Sequence, residues 1–551
     1  MLKNRILKFS IILCFICFVQ ESIAQNLLGG QVHGNFQTDI QMYSEDSLIG
    51  APAIPEKLLM NGFANLTYTN GNFTTGIRYE SYLSAIQGYD SRYKGSGIQY
   101  RFATYRHKDF EITVGNYYEQ FGSGLVFRSY EERNLGLDNA MDGVKLKYSP
   151  YNGIYLKGII GQQRYFFDKG EGIVRGIDGE IALNETFKKL SEKKTKIFLG
   201  WSFVSKYQVD MDPILKLPEN VGAFATRFNI IRGGWNLYSE YATKCNDPSY
   251  DNGYIYKGGD AFLVNLNYSQ KGMAFMINAK RVDNMSFRSD RGEKETALLI
   301  NYLPTITKQH TYTLSAIYPY ATQLNGESGL QSQFVYKFKK GSAFGGKYGT
   351  KLTLNYSIVY AIDQQQINDT IAIGEKGTLG YSSDFFAIGE NKFYEDFNVE
   401  IEKKFSKSLK MTASYIYEMY NTQILEGHED PSVYANIALV DMTYKINRKN
   451  AIRWELQHLS TKQDDGNWAL ALAEYTISPH WFFAVMDQYN YGNPEKEKQI
   501  HYYMASFGYN KGANKIMLSY GKQREGIICV GGVCRQVPAA NGFSVTITSS
   551  F

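Results

Sequence analysis

Hydrophobic and polar residues alternate near the start of the chain, in the stretch QVHGNFQTDIQMY that begins at Gln31. Every second position from Val32 to Met42 is apolar, small or threonine, whereas the positions between them are polar. Successive side chains of a β-strand point to opposite faces, so this period of two predicts a strand with one apolar and one polar face.

The same alternation recurs along the chain, and its length indicates which way the faces point. It is clearest in FTTGIRYESYL (73–83), TKIFLGWSFVS (195–205), WNLYSEYATK (235–244) and MAFMINAKR (273–281). Such runs of about 10–12 residues suit strands that cross a bilayer at a steep tilt, whereas strands of soluble sheets average about 5–6 residues. We therefore expect the apolar face to contact lipid and the polar face to line a wet lumen.

Short and long connections between the predicted strands alternate, as in outer-membrane barrels with tight turns at one end and loops at the other. The predicted turns include 69–72, 106–109, 231–234, 269–272, 447–450 and 477–480. The predicted loops are 44–57, 85–95, 122–142, 207–219, 245–259, 284–294, 362–392, 422–432 and 526–540. The fold class predicted is all-β: one antiparallel up-and-down transmembrane barrel over residues 25–551, with about 26 strands (range roughly 22–28).

The N-terminus predicts export. Lys3, Arg5 and Lys8 precede the short apolar core FSIILCFICFV, and small residues allow cleavage after Ala24. Residues 1–24 are therefore expected to be a secretory signal peptide. Together with the strand pattern, this predicts the outer membrane of a Gram-negative cell, with outer-membrane lipid as a partner.

The last strand carries an expected assembly signal. In NGFSVTITSSF the terminal Phe551 is in phase with Phe543, Val545 and Ile547. This arrangement resembles the signal read by the barrel-assembly machinery, which we expect as a partner during biogenesis. The alternative is an ordinary last strand that ends on phenylalanine by chance.

Composition supports these expectations and excludes some functions. Tyr (44), Phe (33) and Gly (51) are abundant and Pro (12) is scarce, as in aromatic strands joined by tight turns. The net charge of +5 falls when the basic leader is removed, so nucleic acid is not an expected partner.

The densest cluster of charges interrupts the alternation in residues 118–148. Its position predicts a loop, 122–142, that either folds inward and narrows the pore or lies outside in solvent. We favour the inward loop, because an exposed loop has no need for the apolar residues Leu125, Val126 and Phe127. The charged residues expected at the constriction are Glu119, Arg128, Glu131, Glu132, Arg133, Asp138 and Asp142.

Several segments resemble a family of uncharacterised bacterial outer-membrane barrels. The segments are EQFGSGLVFRSYEERNLGLDNAMDGV, YLPTITKQHTYTLSAIYPYATQLNGE, ELQHLSTKQDDGNWALALAEYTISPHW and CVGGVCRQVPAANGF. The resemblance implies the fold and the compartment but no activity. More loosely, the chain resembles porins whose inward loop ends in an Asn/Asp-Gly segment, which would place Asp138, Asn139 and Asp142-Gly143 at the constriction.

Little in the sequence predicts chemistry. Cys529 and Cys534 flank Gly531-Gly532 and are expected to form a disulfide in an oxidising compartment. Cys245 is expected to be free, and the alternative is that it marks a contact with a partner. The histidines are scattered, so no metal site and no cofactor are expected. The Asx-rich segment 246–260 is expected to form turns rather than to bind calcium. His458 and Ser460 lack the fuller motif of an outer-membrane phospholipase, so no enzymatic activity is expected.

These patterns predict a porin-like channel or transport protein for a solute that the sequence does not identify. The alternative is a non-enzymatic barrel subunit of an outer-membrane assembly or secretion complex, with lipoproteins or other barrels as candidate partners.

Overall fold

Twenty-four antiparallel strands form a closed barrel in the computed structural model, which describes residues 25–27, 29–427, 432–530 and 533–551. The expected signal peptide, residues 1–24, lies outside the described residues. The short strand Gln25–Leu27 joins the same sheet as a twenty-fifth member without entering the ring.

The barrel strands are numbered in chain order. They are β1 Gly30–Ser44, β2 Leu59–Asn70, β3 Phe73–Ser84, β4 Gly95–His107, β5 Phe110–Tyr117, β6 Met141–Tyr151, β7 Ile154–Tyr165, β8 Asp168–Ala182, β9 Thr195–Tyr207, β10 Asn220–Arg232, β11 Trp235–Lys244, β12 Gly259–Gln270, β13 Met273–Asp283, β14 Gly326–Phe338, β15 Thr350–Gln365, β16 Ser382–Lys404, β17 Leu409–Tyr420, β18 Val433–Lys445, β19 Asn450–Ser460, β20 Trp468–Ile477, β21 Trp481–Tyr489, β22 His501–Lys511, β23 Asn514–Gln523 and β24 Ala540–Ser550. Each strand pairs with its neighbours in sequence, and β24 pairs with β1 to close the ring. The predicted all-β barrel is confirmed, and its strand number lies within the expected range.

The seam between the first and last strands is completed by Phe551. Its backbone N–H donates to the Gly34 carbonyl at 2.9 Å, and the Gly34 N–H donates to the Phe551 carbonyl at 3.0 Å. The Phe551 ring lies directly over Gly34, where a Cβ would come within 2.4 Å of the ring. A glycine on the otherwise apolar face of β1 therefore makes room for the closing aromatic residue.

The two faces of the strands point as the alternation predicts. On β3, Ile77 and Tyr79 are exposed on the outside, whereas Arg78 and Glu80 are buried inside the barrel. Exposed apolar side chains recur on the outer faces of the other strands, among them Leu199, Trp201, Phe203, Trp235, Leu456, Val485 and Phe543. A band of this kind is stable against lipid and would be a liability in water, so the molecule is a barrel of the outer-membrane type. Among the described residues, no helix is both long enough and apolar enough to cross a bilayer.

The connections alternate between a turn end and a loop end of the barrel. The turn end has tight turns such as 71–72, 108–109 and 271–272, with longer connections only at 183–194 and 339–349. The loop end carries all the long segments that the sequence predicted, although their bounds differ. The largest difference is at 284–294, where the connection between β13 and β14 extends to residue 325. Residues 284–325 contribute no strand to the barrel, so the ring has fewer strands than the predicted 26.

Candidate functional site

Loop 118–140 leaves β5 at the loop end and lies inside the barrel. Phe121 and the segment 125–127 are fully buried. The loop spans the lumen as far as β11, where the Ser123 N–H donates to Glu240 Oε2 at 2.7 Å. Gly122 has a φ of +51°, and a Cβ at this position would lie 2.5 Å from the Glu240 carboxylate. A glycine is therefore required where the loop meets β11.

A buried ionic network fastens loop 118–140 to the wall. It consists of Asp138 and the partly exposed Glu131 from the loop, Arg78 and Glu80 from β3, and Arg164 from β7. Arg164 Nη1 lies 2.8 Å from Asp138 Oδ2, and Arg164 Nη2 lies 2.7 Å from Glu80 Oε2. Arg78 Nε lies 2.6 Å from Glu80 Oε1, and its Nη2 also contacts Asp138. Burial alone would raise the pKa of Asp138, but Arg164 and Arg78 hold it below its ordinary value.

Among the charged residues expected at the constriction, Arg128, Glu131, Glu132 and Arg133 do not all converge in the lumen. Only Glu131 and Arg133 form an ion pair, at 2.7 Å. Glu132 instead accepts from the Asn134 N–H at 3.1 Å and caps the 3₁₀ turn Arg133–Leu135. The Arg128 guanidinium stacks on two tyrosine rings. Alternating residues of a short loop point in different directions, so proximity in sequence did not bring these charges together.

Asn139 and Glu119 lie at the base of the loop. Asn139 Nδ2 donates to the carbonyl of Leu299 at 2.9 Å. Glu119 lies 2.7 Å from Lys147 Nζ and 3.0 Å from Lys157 Nζ. Burial would raise the pKa of Glu119, but Lys157 and Lys147 bring it below its ordinary value.

Asp142 does not lie in the lumen, contrary to the prediction. It is the second residue of β6 and points outward, where its Oδ2 lies 2.6 Å from Lys169 Nζ and 3.2 Å from Arg101 Nη2. Met141, one residue earlier, is the buried inward residue. The strand begins before Asp142, and its period of two places that side chain on the outer face.

Loop 284–325 also enters the barrel, although the sequence did not predict it. The loop begins at β13 and contacts inward residues of several distant strands. Lys308 Nζ donates to Asn398 Oδ1 of β16 at 2.8 Å, and the Tyr312 hydroxyl donates to Asp441 Oδ2 of β18 at 3.1 Å. The Leu314 N–H donates to Gln457 Oε1 of β19 at 2.9 Å, so the loop reaches a strand six positions along the ring from β13.

The two loops pack against each other as one plug. The Arg128 N–H donates to the Ile300 carbonyl at 2.8 Å, and the Tyr302 N–H donates to the Gly124 carbonyl at 2.9 Å. Apolar residues of both loops and of the inward strand faces form a common buried core: Phe121, Leu125, Val126, Phe127, Met285, Phe287, Ile300, Leu303, Ile306, Val174, Val204 and Val221. This part of the lumen is therefore dry and close-packed.

A niche remains between the plug and the turn end, on the inner face of β2–β6. Its volume is about 670 Å³, and it extends from the turns at Gly71 and Lys108 to Tyr118. Two further basic side chains, Arg106 and Lys145, line it together with the single carboxylate of Glu111. The niche is therefore polar and carries an excess of positive charge.

A second cluster of titratable side chains lies where loop 284–325 meets the wall. His310, Asp396 and Glu418 come together there, and their ligand-type atoms all lie within 4.8 Å of one another. The histidines are scattered along the sequence, so no such cluster was predicted. The signal was not visible because His310 lies on a loop that the sequence did not place in the barrel.

The remaining predicted residues lie at the rim and on the outer surface. Cys529 and Cys534 form a disulfide across the hairpin Gly526–Val530 and Val533–Val537. Gly531-Gly532 lie outside the described residues. Cys245 is a free, exposed cysteine. His458 lies within hydrogen-bonding distance, 2.7 Å, of the Tyr491 hydroxyl.

The segment 246–260 uses its acidic side chains in ion pairs. Asp247 Oδ1 lies 2.7 Å from Lys206 Nζ, and Asp251 Oδ2 lies 2.6 Å from Arg288 Nε. Ser249 and Asn252 form a capping box around a 3₁₀ turn, in line with the expected turn-rich loop.

The family of uncharacterised barrels that the sequence resembles is confirmed: residues 4–551 match the model of the "Family of unknown function (DUF6029)", and the chain belongs to this family. No curated protein matches the chain.

Solved barrels match the structure only weakly. A mutant of the ferric enterobactin receptor PfeA from Pseudomonas aeruginosa matches with 11% identity and a TM-score of 0.41, over 94% of this chain and 80% of that chain. OccAB3 from Acinetobacter baumannii matches with 9% identity and a TM-score of 0.35, over 95% and 100%. The copper transporter OprC matches with 8% identity and a TM-score of 0.38, over 96% and 82%. Matches at this level carry no argument about function.

Proposed function

We propose that this member of the DUF6029 family is an outer-membrane channel for small solutes whose passage is narrowed by its own two loops. The observation that carries the proposal is the position of loops 118–140 and 284–325, which lie inside the lumen and bond to the distant strands β11 and β19. A barrel of this strand number would otherwise enclose a wide water-filled pore. Loops that fill such a lumen make passage selective.

The niche beneath the plug supports a preference for anions. Arg106, Lys108 and Lys145 line it with only one carboxylate, Glu111. A confined space with one sign of charge raises the local concentration of ions of the opposite sign. We therefore propose small anionic solutes as the preferred class.

A second candidate function is that of a barrel subunit in a larger outer-membrane complex. It is favoured by large apolar side chains that are exposed at the loop end of the barrel. Met211 and Ile214 in the loop after β9 are 81% and 88% exposed, and Phe386 near the start of β16 is 90% exposed. Contiguous apolar patches mark surfaces that bind other proteins, and we propose that these residues belong to such a surface.

Single-channel recording distinguishes the two functions. The purified barrel is compared with variants in which 123–137 or 303–322 is replaced by a short Gly-Ser linker, leaving every barrel strand intact. We expect small conductance steps for the native protein and several-fold larger steps for either variant. The reversal potential reports the preference for anions. This preference should fall in Lys145→Gln and stay unchanged in the control Lys189→Gln, which lies on a helix at the turn end. Equal conductance in native and linker variants would reject the channel and favour the subunit.

A further inference from the structure

Three side chains of metal-ligand type meet at one point of contact between plug and wall. Asp396 on β16 and Glu418 on β17 are directly paired in the sheet, so their carboxylates lie side by side on the inner face. His310 reaches them from loop 284–325, and its Nε2 contacts Asp396 Oδ2. One ligand therefore comes from the loop and two come from the barrel.

The carboxylates are buried without a matching positive charge. Asp396 is 0% exposed and Glu418 1% exposed. Their other contacts are neutral donors: Asn355 and Asn398 donate to Asp396 Oδ1, and the Tyr394 hydroxyl donates to Glu418 Oε1. The nearby ammonium of Lys308 donates to Asn398 and lies 3.9 Å from Glu400 instead.

One oxygen of this cluster has no partner. Glu418 Oε2 is fully buried and accepts no hydrogen bond within the described part of the chain. Two adjacent buried carboxylates, one with an unsatisfied oxygen, are costly unless a proton or a cation compensates them, and a cation is the one that an adjacent imidazole helps to bind. The carboxylate that carries this open oxygen contributes a ligand-type atom to the same 4.8 Å cluster as His310 and Asp396.

We propose that His310, Asp396 and Glu418 bind a divalent transition-metal ion of the zinc class. One imidazole nitrogen and two carboxylate oxygens are a donor set that Zn²⁺ accepts, with a water in the fourth position. The hard ions Ca²⁺ and Mg²⁺ favour all-oxygen sites instead. Asn355, Asn398 and Tyr394 orient the carboxylates as outer-shell partners.

The bound ion fastens loop 284–325 to the wall between β16 and β17. This role complements the ionic network that fastens loop 118–140 on the other side of the lumen. The site itself does not depend on the proposed channel function, because it requires only that the loop stays inside the barrel.

Metal titration of the full-length refolded barrel tests the proposal. The metal-free protein is titrated with Zn²⁺ against a chromophoric chelator. We expect one tight equivalent per chain in the native protein and affinity lower by at least about tenfold in both His310→Ala and Glu418→Gln. The control His501→Ala removes an exposed histidine that lies 2.7 Å from Asp487, and it should bind like the native protein.

A second measurement covers the case in which a variant folds poorly. Co²⁺ in a site of this donor set gives visible absorption bands, which should appear with one equivalent in the native barrel and vanish on addition of Zn²⁺. The proposal is overturned if the native barrel binds no Zn²⁺ above the level of a site-free control barrel, or if it binds Ca²⁺ or Mg²⁺ in preference. Equal Zn²⁺ affinity in Glu418→Gln and His501→Ala also overturns it, when heat-modifiable migration on gels shows that both variants are folded.

Discussion

Loops 118–140 and 284–325 fill the same lumen but are attached to the wall in different ways. Loop 118–140 is tied by a compact network in which Asp138 meets two buried arginines. Loop 284–325 is tied by separate contacts spread along its length, most of them hydrogen bonds from neutral groups such as the hydroxyls of Tyr312 and Tyr318. One loop therefore concentrates its buried arginine contacts in a single cluster, whereas the other is held mainly by separate hydrogen bonds.

The cost of losing one contact with the wall differs between the two loops. Breaking a buried ion pair leaves an uncompensated buried charge. The resulting loss in the free energy of unfolding is far larger than the net contribution of the intact pair. Losing one of several neutral hydrogen bonds leaves the remaining anchors in place. A single substitution should therefore damage loop 118–140 more than loop 284–325.

The largest effect is expected from Asp138→Asn. The substitution leaves Arg78 and Arg164 with less buried negative charge and should lower the free energy of unfolding by about 3–5 kcal/mol. Urea-induced unfolding of the barrel in lipid vesicles measures this change in the free energy of unfolding. Asp142→Asn is the matched control, because its partners Lys169 and Arg101 are 45% and 52% exposed. That exposed pair should contribute only about 0–1 kcal/mol, and equal losses in the two variants would contradict the network.

An intermediate effect is expected from Tyr320→Phe in loop 284–325. The buried Tyr320 hydroxyl donates to Glu327, which keeps Lys280 and the Gln323 N–H as other partners. The free energy of unfolding should fall by about 1.5–3 kcal/mol, the range for a hydrogen bond to a charged group. Tyr155→Phe, whose hydroxyl donates to Glu185 at an exposed site, is the control and should be nearly silent. A loss in Tyr320→Phe larger than that in Asp138→Asn would reverse the ranking of the two loops.

The smallest effect is expected at the contact between the loops. The Arg128 guanidinium lies 4.1 Å from the ring centres of both Tyr130 in its own loop and Tyr302 in the other. Arg128→Leu should cost about 0.5–2 kcal/mol. In a double-mutant cycle with Tyr302→Leu, the two losses should be less than additive if the loops unfold as one plug. Strict additivity would mean that each loop is attached to the wall alone.

The alternation of residues was sufficient to predict the barrel, its orientation and most of its connections. The outer face of β3, from Phe73 to Tyr79, could be assigned without coordinates, because only lipid makes an exposed apolar face acceptable. Loop 118–140 was recognisable because charges interrupted the pattern beside the apolar segment 125–127. Arg78 and Arg164, the partners that secure it, were not recognisable, since each is one more polar residue on an inward strand face.

Local sequence therefore determined the elements of this protein: a period of two defines strands, their faces and, through turn chemistry, their order in an up-and-down ring. Only the tertiary structure decided what fills the ring. The course of loop 284–325 depends on bonds to strands more than a hundred residues away, such as that from Leu314 to Gln457. The same holds for His310, Asp396 and Glu418, which come together only when that loop crosses the lumen. Contacts of this kind arise from chain closure and packing, and no pattern within a short window of sequence records them.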